Sequence, residues 1–250
     1  MLIVANFTEI YLAKEDHDGI VGINYLEKIQ LPTLPSILGA MLAGVDYVLM
    51  GAGIPSSIPG ILDSLSQGDA CTMALYVEQN KNNQEFKAQL NPKDFLPNEI
   101  FPLNRPEFLG IISSPPRKNH KAAENDMPCF SDRDDPNLDN IKNLGLPFWL
   151  AGGFNSQEKL KEALGLGATG IQLGSLFAFC KESGMKKEVK SEVINSLWLD
   201  TFKSITDFTR SIIFLSSGNL IGIFFIFAIL TSANALPFSE VYVLCQYNRD

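Results

Sequence analysis

The sequence predicts an α/β fold built from repeated β-α units with parallel strands. Residues 148–175, FWLAGGFNSQEKLKEALGLGATGIQLGS, alternate between strand, glycine-turn and helix patterns. An upstream phrase, LAGVDYVLMGAG, repeats the pattern of LGATGIQLGS: a helix end, a glycine, an apolar strand and a glycine turn. Residues 21–25 and 108–114 are further apolar runs of strand length. Such recurrence favours a parallel barrel or a doubly wound sheet.

The segment 148–175 contains a complete β-α-β unit. Residues 148–151 form an apolar run between Pro147 and Gly152, which is typical of a strand buried on both faces. The helix that follows is expected to begin at Asn155, with Glu158 completing a capping box. Its buried face is expected to carry Leu160, Ala163 and Leu164, and its end is expected at Gly165 and Gly167.

Two glycine turns of this unit are predicted to meet at one edge of the sheet. Gly152 and Gly153 follow the first strand, and Gly174 and Ser175 follow the second, residues 170–173. Because parallel strands place their carboxyl ends at the same edge, the exposed backbone amides of both turns can approach an anion. The segment therefore suggests a phosphate site. The alternative is that these glycines only form the tight turns that any parallel α/β protein needs.

The upstream unit has the same organisation. A helix is predicted over residues 33–43, with Thr33 at its cap and Gly44 after its end. Residues 45–50 then form a strand, which leads through the glycine-containing turn 51–55 into another helix that extends to about residue 65. The two units together make a series of β-α repeats the main prediction for the fold.

Two long phrases resemble a known family. HDGIVGINYLEKIQLPTLPSILGAMLAGVDYVLMGAGIP (residues 17–55) and GLPFWLAGGFNSQEKLKEALGLGATGIQLGSLFAFCKESG (residues 145–184) are similar to the nitronate monooxygenase, or 2-nitropropane dioxygenase, family. The resemblance implies a TIM (β/α)8 barrel that binds FMN without covalent attachment. It also implies an oxidoreductase that oxidises nitronates or nitroalkanes with O2 at the carboxyl ends of the strands.

The resemblance also implies the residues that bind FMN. Gly152 and Gly153 match one half of the phosphate site, and Ser175 takes a position where the family more often has threonine, so the hydroxyl is kept. Asn24 matches an asparagine that contacts the flavin; the alternative is a polar strand-end residue satisfied by a loop. The implied set is Asn24, Gly152, Gly153, Gln172, Leu173, Gly174 and Ser175.

The chain departs from the family pattern in two places. It begins after the point of the family's first strand, and Ser114 runs directly into Pro115, without the strand and Gly-Gly-His loop that supply the family's catalytic base. Neither His17 nor His120 matches that histidine, so the catalytic residue is unknown. We therefore predict an incomplete barrel. The alternatives are a flavin-binding relative with impaired catalysis and a protein similar to FMN-dependent enoyl reductases.

Composition limits the classes of partner. The chain has 250 residues and 46% apolar content, which suits one barrel-sized domain at residues 1–207. Its net charge of −8 argues against nucleic-acid binding. The four cysteines lie far apart without metal-ligand spacing, so we expect no metal site and no disulfide framework, and a cytoplasmic location.

The segment 208–250 is predicted to be a divergent apolar tail. Residues 211–230 carry no charge over the length of a bilayer span, which would permit membrane insertion. A further hypothesis is therefore that the protein is a membrane-tethered or non-functional fragment. The polar cluster at residues 216–219 instead suits a turn between buried segments, and burial or disorder is favoured over membrane insertion. No secretory signal is expected at residues 1–7. Residues 78–97 and 115–140 are predicted surface connections.

Overall fold

The computed structural model describes residues 1–78, 84–113, 137–152, 154, 156–198, 228–231 and 241–246. The strands in chain order are β1 (Gly22–Leu26), β2 (Tyr47–Gly51), β3 (Cys71–Leu75), β4 (Phe86–Leu90), β5 (Glu107–Ser113), β6 (Phe148–Ala151), β7 (Gly170–Leu173), β8 (Ala228–Thr231) and β9 (Val241–Gln246). The helices are α1 (Leu2–Ala13), α2 (Thr33–Leu42), α3 (Ile58–Ser66), α4 (Leu138–Lys142), α5 (Gln157–Gly165), α6 (Ser175–Ala178) and α7 (Lys187–Trp198). Two 3-10 turns lie at Pro92–Asp94 and Asn98–Ile100.

Seven strands form one sheet in the order β1-β2-β5-β9-β6-β7-β8. Neighbouring strands are parallel throughout, except that β8 runs antiparallel to β7. β3 and β4 form a separate antiparallel pair. The predicted α/β fold with parallel strands is therefore confirmed. Over the described ranges the sheet is open, with β1 and β8 at its edges.

The two faces of the sheet carry different cores. On one face, Ile23, Val48, Met50 and Phe108 pack with residues of α1, α2 and α3. Farther along the sheet, Phe148, Leu150 and Ile171 form a second cluster with Ala163 of α5. The opposite face, called the Trp149 face below, has a cluster of its own, formed by Leu49, Leu109, Trp149 and Ala151. Since successive strand residues point to opposite faces, one set of strands contributes to both cores.

Helix α1, which the sequence patterns did not indicate, packs closely on α2. A Cβ atom at Gly39 would collide with the backbone carbonyl of Ile3, so glycine permits the close approach of the two helices. Beneath them, the Tyr25 hydroxyl lies 3.0 Å from both Asn6 Oδ1 and the Ser36 carbonyl oxygen. Burial raises the pKa of Tyr25, so this hydroxyl stays protonated and ties β1 to both helices.

Helix α2 begins at Thr33, as predicted, but the predicted cap residue is wrong. Pro32 is the cap residue, and no side chain caps the helix. The Thr33 hydroxyl instead donates to the Ile29 carbonyl oxygen at 3.0 Å, because Thr33 already lies inside the first turn. The end is as predicted, since Gly44 follows the helix with φ of +75°, a conformation that glycine adopts without strain.

The two predicted surface connections contain regular structure. Residues 78–97 include β4, which pairs with β3 from Leu75↔Phe86 to Cys71↔Leu90; residues 79–83 lie outside the described residues. At the other connection, residues 114–136 lie outside the described residues, and α4 follows them. The predicted polar loop or insertion of mixed local structure at residues 78–97 therefore contains a strand, and this strand buries Leu90.

The apolar tail contributes strands to the sheet. Residues 211–227 of the predicted bilayer-length stretch lie outside the described residues, while Ala228 opens β8. β9 lies between β5 and β6, parallel to both. Among the helices that the structure describes, none has both the length and the apolar character needed to cross a membrane.

Candidate functional site

The carboxyl ends of β6 and β7 meet at one edge of the sheet. Ala151 of β6 stands opposite Gln172 of β7 in a parallel pairing, so the residues that follow each strand leave the sheet side by side. Gly152 has φ of +83°, a backbone conformation that side-chain-bearing residues adopt only with strain. We call Gly152 and the residues Leu173, Gly174 and Ser175 the glycine edge.

The start of α6 forms one side of the glycine edge. The Gly174 carbonyl oxygen accepts hydrogen bonds from the N–H groups of Phe177 and Ala178, at 3.1 and 3.0 Å. Gly174 is therefore the residue at which the strand turns into the helix. The first N–H groups of a helix have no partner within that helix, so the backbone at Ser175 offers donors toward this edge.

The structure places five of the seven predicted residues together. Gln172 is 9% exposed and, by its pairing with Ala151, lies on the Trp149 face. Leu173 is partly buried and packs with the cluster around Phe148 on the other face. Gly153 lies outside the described residues. The five residues are Gly152, Gln172, Leu173, Gly174 and Ser175.

The helix after β6 starts one residue later than predicted. Asn155 lies outside the described residues, and the cap is Ser156, whose Oγ accepts a hydrogen bond from the Lys159 N–H at 3.2 Å. The backbone N–H of Glu158 and the Ser156 hydroxyl hold the pKa of Glu158 below its usual value. The backbone N–H groups of Lys159 and Glu158 at the start of α5 are thus already engaged by residues of this helix and its cap.

Asn24 lies apart from the glycine edge. It pairs with Leu49 of β2, and the sheet order puts β2, β5 and β9 between β1 and β6. Four strand spacings of about 4.8 Å place it roughly 19 Å from β6 along the sheet. Its pairing partner does put it on the Trp149 face, the face that also carries Gln172.

A buried polar atom of Asn24 has no partner. Its Oδ1 is buried and accepts no hydrogen bond from the residues that the structure describes. A buried acceptor of this kind costs about 1–3 kcal/mol unless a ligand or water satisfies it. The predicted alternative, a strand-end amide satisfied by a loop backbone, therefore does not hold for this oxygen within the described chain.

Glu107 is a further polar residue on the Trp149 face, and sequence analysis missed it. It pairs with Tyr47 at the start of β5, and its Oε2 is buried without a hydrogen bond from the described residues. Burial raises the pKa of Glu107, while Arg105 opposes the shift. The one signal in the sequence that could have indicated its position is the spacing of two residues between Glu107, Leu109 and Ile111, which puts all three side chains on the same face of β5. It lies at the amino end of its strand, away from the glycine edge.

Neither histidine lies at the glycine edge within the described chain. His17 Nδ1 accepts from the Gly19 N–H at 2.9 Å, and Nε2 donates to the Ala13 carbonyl oxygen at 2.6 Å. The imidazole therefore closes the end of α1, in the connection that enters β1. His120 lies outside the described residues. In the described part of the chain, no group of three or more histidine, cysteine or acidic side chains could hold a metal ion.

Comparison with known proteins bears on the glycine edge directly. The family model described as nitronate monooxygenase matches residues 136–212. This range contains β6, α5, β7 and α6, and so both glycine turns. No curated protein and no solved structure matches the chain. The resemblance to the nitronate monooxygenase family, whose members are oxidoreductases, is thereby confirmed over these residues.

Proposed function

We propose that this chain is an FMN-dependent oxidoreductase that oxidises nitronates or nitroalkanes with O2. Its residues 136–212 match the nitronate monooxygenase family model. The observation that carries the proposal is the glycine edge, where two parallel strands end side by side within the matched range. The proposal extends to the fold. Closure of the parallel sheet into a TIM-type barrel would bring Asn24 closer to Gln172 than the two residues are in the open sheet.

The residues present fit FMN. Gly152 has a positive φ and no side chain, so its backbone can approach a phosphate, and the amides at Gly174 and Ser175 add donors from the neighbouring strand. The buried Asn24 Oδ1 without a partner is an acceptor suited to an N–H group of the flavin ring. When bound, FMN supplies the electron-accepting ring. The protein's part is to hold the phosphate, orient the ring and exclude water.

A second candidate is a flavin-binding protein without turnover. Oxidation of a nitroalkane needs a positioned side chain that removes a proton. Among the described residues of the glycine edge and the adjacent Gln172, none carries a group that titrates near neutral pH. This observation favours binding without oxidation of a neutral nitroalkane. A nitronate has already lost that proton, so turnover of a nitronate separates the two candidates.

The test is an absorption spectrum of the purified protein with and without added FMN. We expect a yellow protein whose flavin is bleached anaerobically by a nitronate and recovers its colour with O2. Bleaching absent from an FMN-bound protein would support the second candidate. A colourless protein that cannot be reconstituted with FMN would overturn both.

A pair of glycine variants tests the site itself. Gly152→Ala and Gly145→Ala each place an alanine at positive φ, 83° and 69°, at a similar strain of about 1–2 kcal/mol. A Cβ atom at Gly145 meets nothing within 4 Å, and this residue lies before β6, away from the glycine edge. We expect only Gly152→Ala to weaken FMN binding, by about tenfold, or about 1.4 kcal/mol. Equal affinities of the two variants would contradict the assignment of the phosphate site.

A further inference from the structure

Lys190 of α7 is a buried lysine whose ammonium group binds backbone carbonyls. Only 9% of the residue is exposed. Its Nζ donates to the carbonyl oxygens of Cys180, Ser183 and Lys181, at 2.7, 2.9 and 3.3 Å. An ammonium group has three N–H donors, so these three acceptors use all of them.

The three carbonyls belong to the link between α6 and α7. This link folds back on the end of α6: the Ser183 Oγ donates to the Ala178 carbonyl oxygen at 2.5 Å, and the Cys180 N–H donates to the Phe177 carbonyl oxygen at 3.4 Å. Lys190 thus fixes the residues that close α6. Helix α6 has four residues, or about 6 Å of length, between this anchor and the glycine edge.

A helix this short is not stable by itself, because a single turn fixes several residues for very few hydrogen bonds. The described contacts that set its position lie at its two ends. At the start, Gly174 continues directly from β7. At the other end, the described contacts are the link and the Lys190 ammonium group that holds it.

We propose that Lys190 is a positioning residue for phosphate binding: it fixes α6 and thereby the backbone donors at Gly174 and Ser175. The inference rests on the proposed FMN site and adds a residue that does not touch the ligand. A purely structural role would lower stability without distinguishing FMN from riboflavin, which lacks the phosphate. A positioning role affects FMN and spares riboflavin.

The experiment compares Lys190→Met with Lys187→Met, an exposed lysine of the same helix, by titrating each protein with FMN and with riboflavin. For Lys190→Met we expect the dissociation constant of FMN to rise about tenfold, the effect of about 1.4 kcal/mol, with riboflavin unchanged within about twofold. Lys187→Met should match the parent protein with both ligands. Ser183→Ala removes the hydrogen bond from the link to the Ala178 carbonyl oxygen and should raise the dissociation constant of FMN by a smaller factor. This variant keeps the proposal testable if Lys190→Met does not fold.

Hydrogen exchange of the ligand-free proteins provides a readout that does not depend on FMN. In Lys190→Met, the amides of Phe177, Ala178 and Ser183 should exchange faster, while those of β6 stay protected. Unchanged exchange at these amides, or an equal loss of FMN and riboflavin affinity, would overturn the role of Lys190. A parent protein that binds neither flavin would instead overturn the proposed function, and the exchange rates would still decide whether Lys190 anchors α6.

Discussion

Asn24 places its side-chain carbonyl oxygen on the Trp149 face, where the atom is buried and accepts no hydrogen bond from the described residues. Such a group lowers the stability of the folded protein. A ligand with an N–H donor would remove that cost on binding. Stability and flavin affinity should therefore respond in opposite directions to the loss of this amide.

Asn24→Leu tests this opposition. Leucine has a similar size and no polar atom, so we expect the ligand-free protein to gain up to about 1 kcal/mol in its free energy of unfolding, measured by urea denaturation. FMN affinity should fall. Asn98→Leu, at an exposed position, is the matched control and should show neither change. A less stable Asn24→Leu protein would show that the amide is satisfied in the folded state.

Single positions were the hardest to predict from sequence. Asparagine and serine are both good cap residues, and the sequence analysis assigned the cap of α5 to Asn155, whereas the structure caps this helix with Ser156. Leu164 was assigned to the buried face of α5 but is 43% exposed. The burial of Ala163 alone, at 0% exposure, shows that α5 contacts the sheet along a narrower line than the pattern implied.

At the level of elements, strong periodicity gave correct predictions and weak periodicity did not. β6 and β7 were found because apolar runs end at glycines. Helix α1 was missed because its sequence, LIVANFTEIYLA, has apolar residues on all sides, which removes the helical period. β4, with the sequence FKAQL, has the alternation of a half-buried strand, but the polar residues around it led to its assignment as a connection.

The packing of α1 on α2 gives a prediction for two helical glycines. A Cβ atom at Gly39 would meet the Ile3 carbonyl, whereas one at Gly60 in α3 meets nothing within 4 Å. Gly39→Ala should therefore destabilise the protein by about 1–3 kcal/mol through overpacking. Gly60→Ala should stabilise it by about 0.5–1 kcal/mol, because alanine favours the helix. Thermal unfolding followed by circular dichroism measures both, and destabilisation of equal size in the two variants would argue against a close contact of α1 with α2.

For the whole molecule, sequence reasoning predicted parallel β-α units but not the order of the strands. Register and neighbours depend on contacts between residues far apart in the chain, and local patterns do not contain them. Residues 241–246 were assigned to a divergent apolar tail, and the structure shows that β9 in this tail pairs with β5 and β6. The tail strand thus links the part of the sheet around β1 and β2 to the glycine edge.

This topology predicts that a backbone change in the tail affects the entire fold. Val243 pairs with Gly110 on one side and Phe148 on the other. Val243→Pro removes a ladder N–H from a central strand, where proline is not tolerated, and should cost about 3 kcal/mol or more. For a chain of this size, we expect a fall of roughly 6–12 °C in the melting temperature. Val243→Ala keeps the N–H and should lose much less. Equal melting temperatures of the two variants would mean that β9 does not join the two parts of the sheet. FMN binding would then depend on residues 136–212 without a contribution from β9.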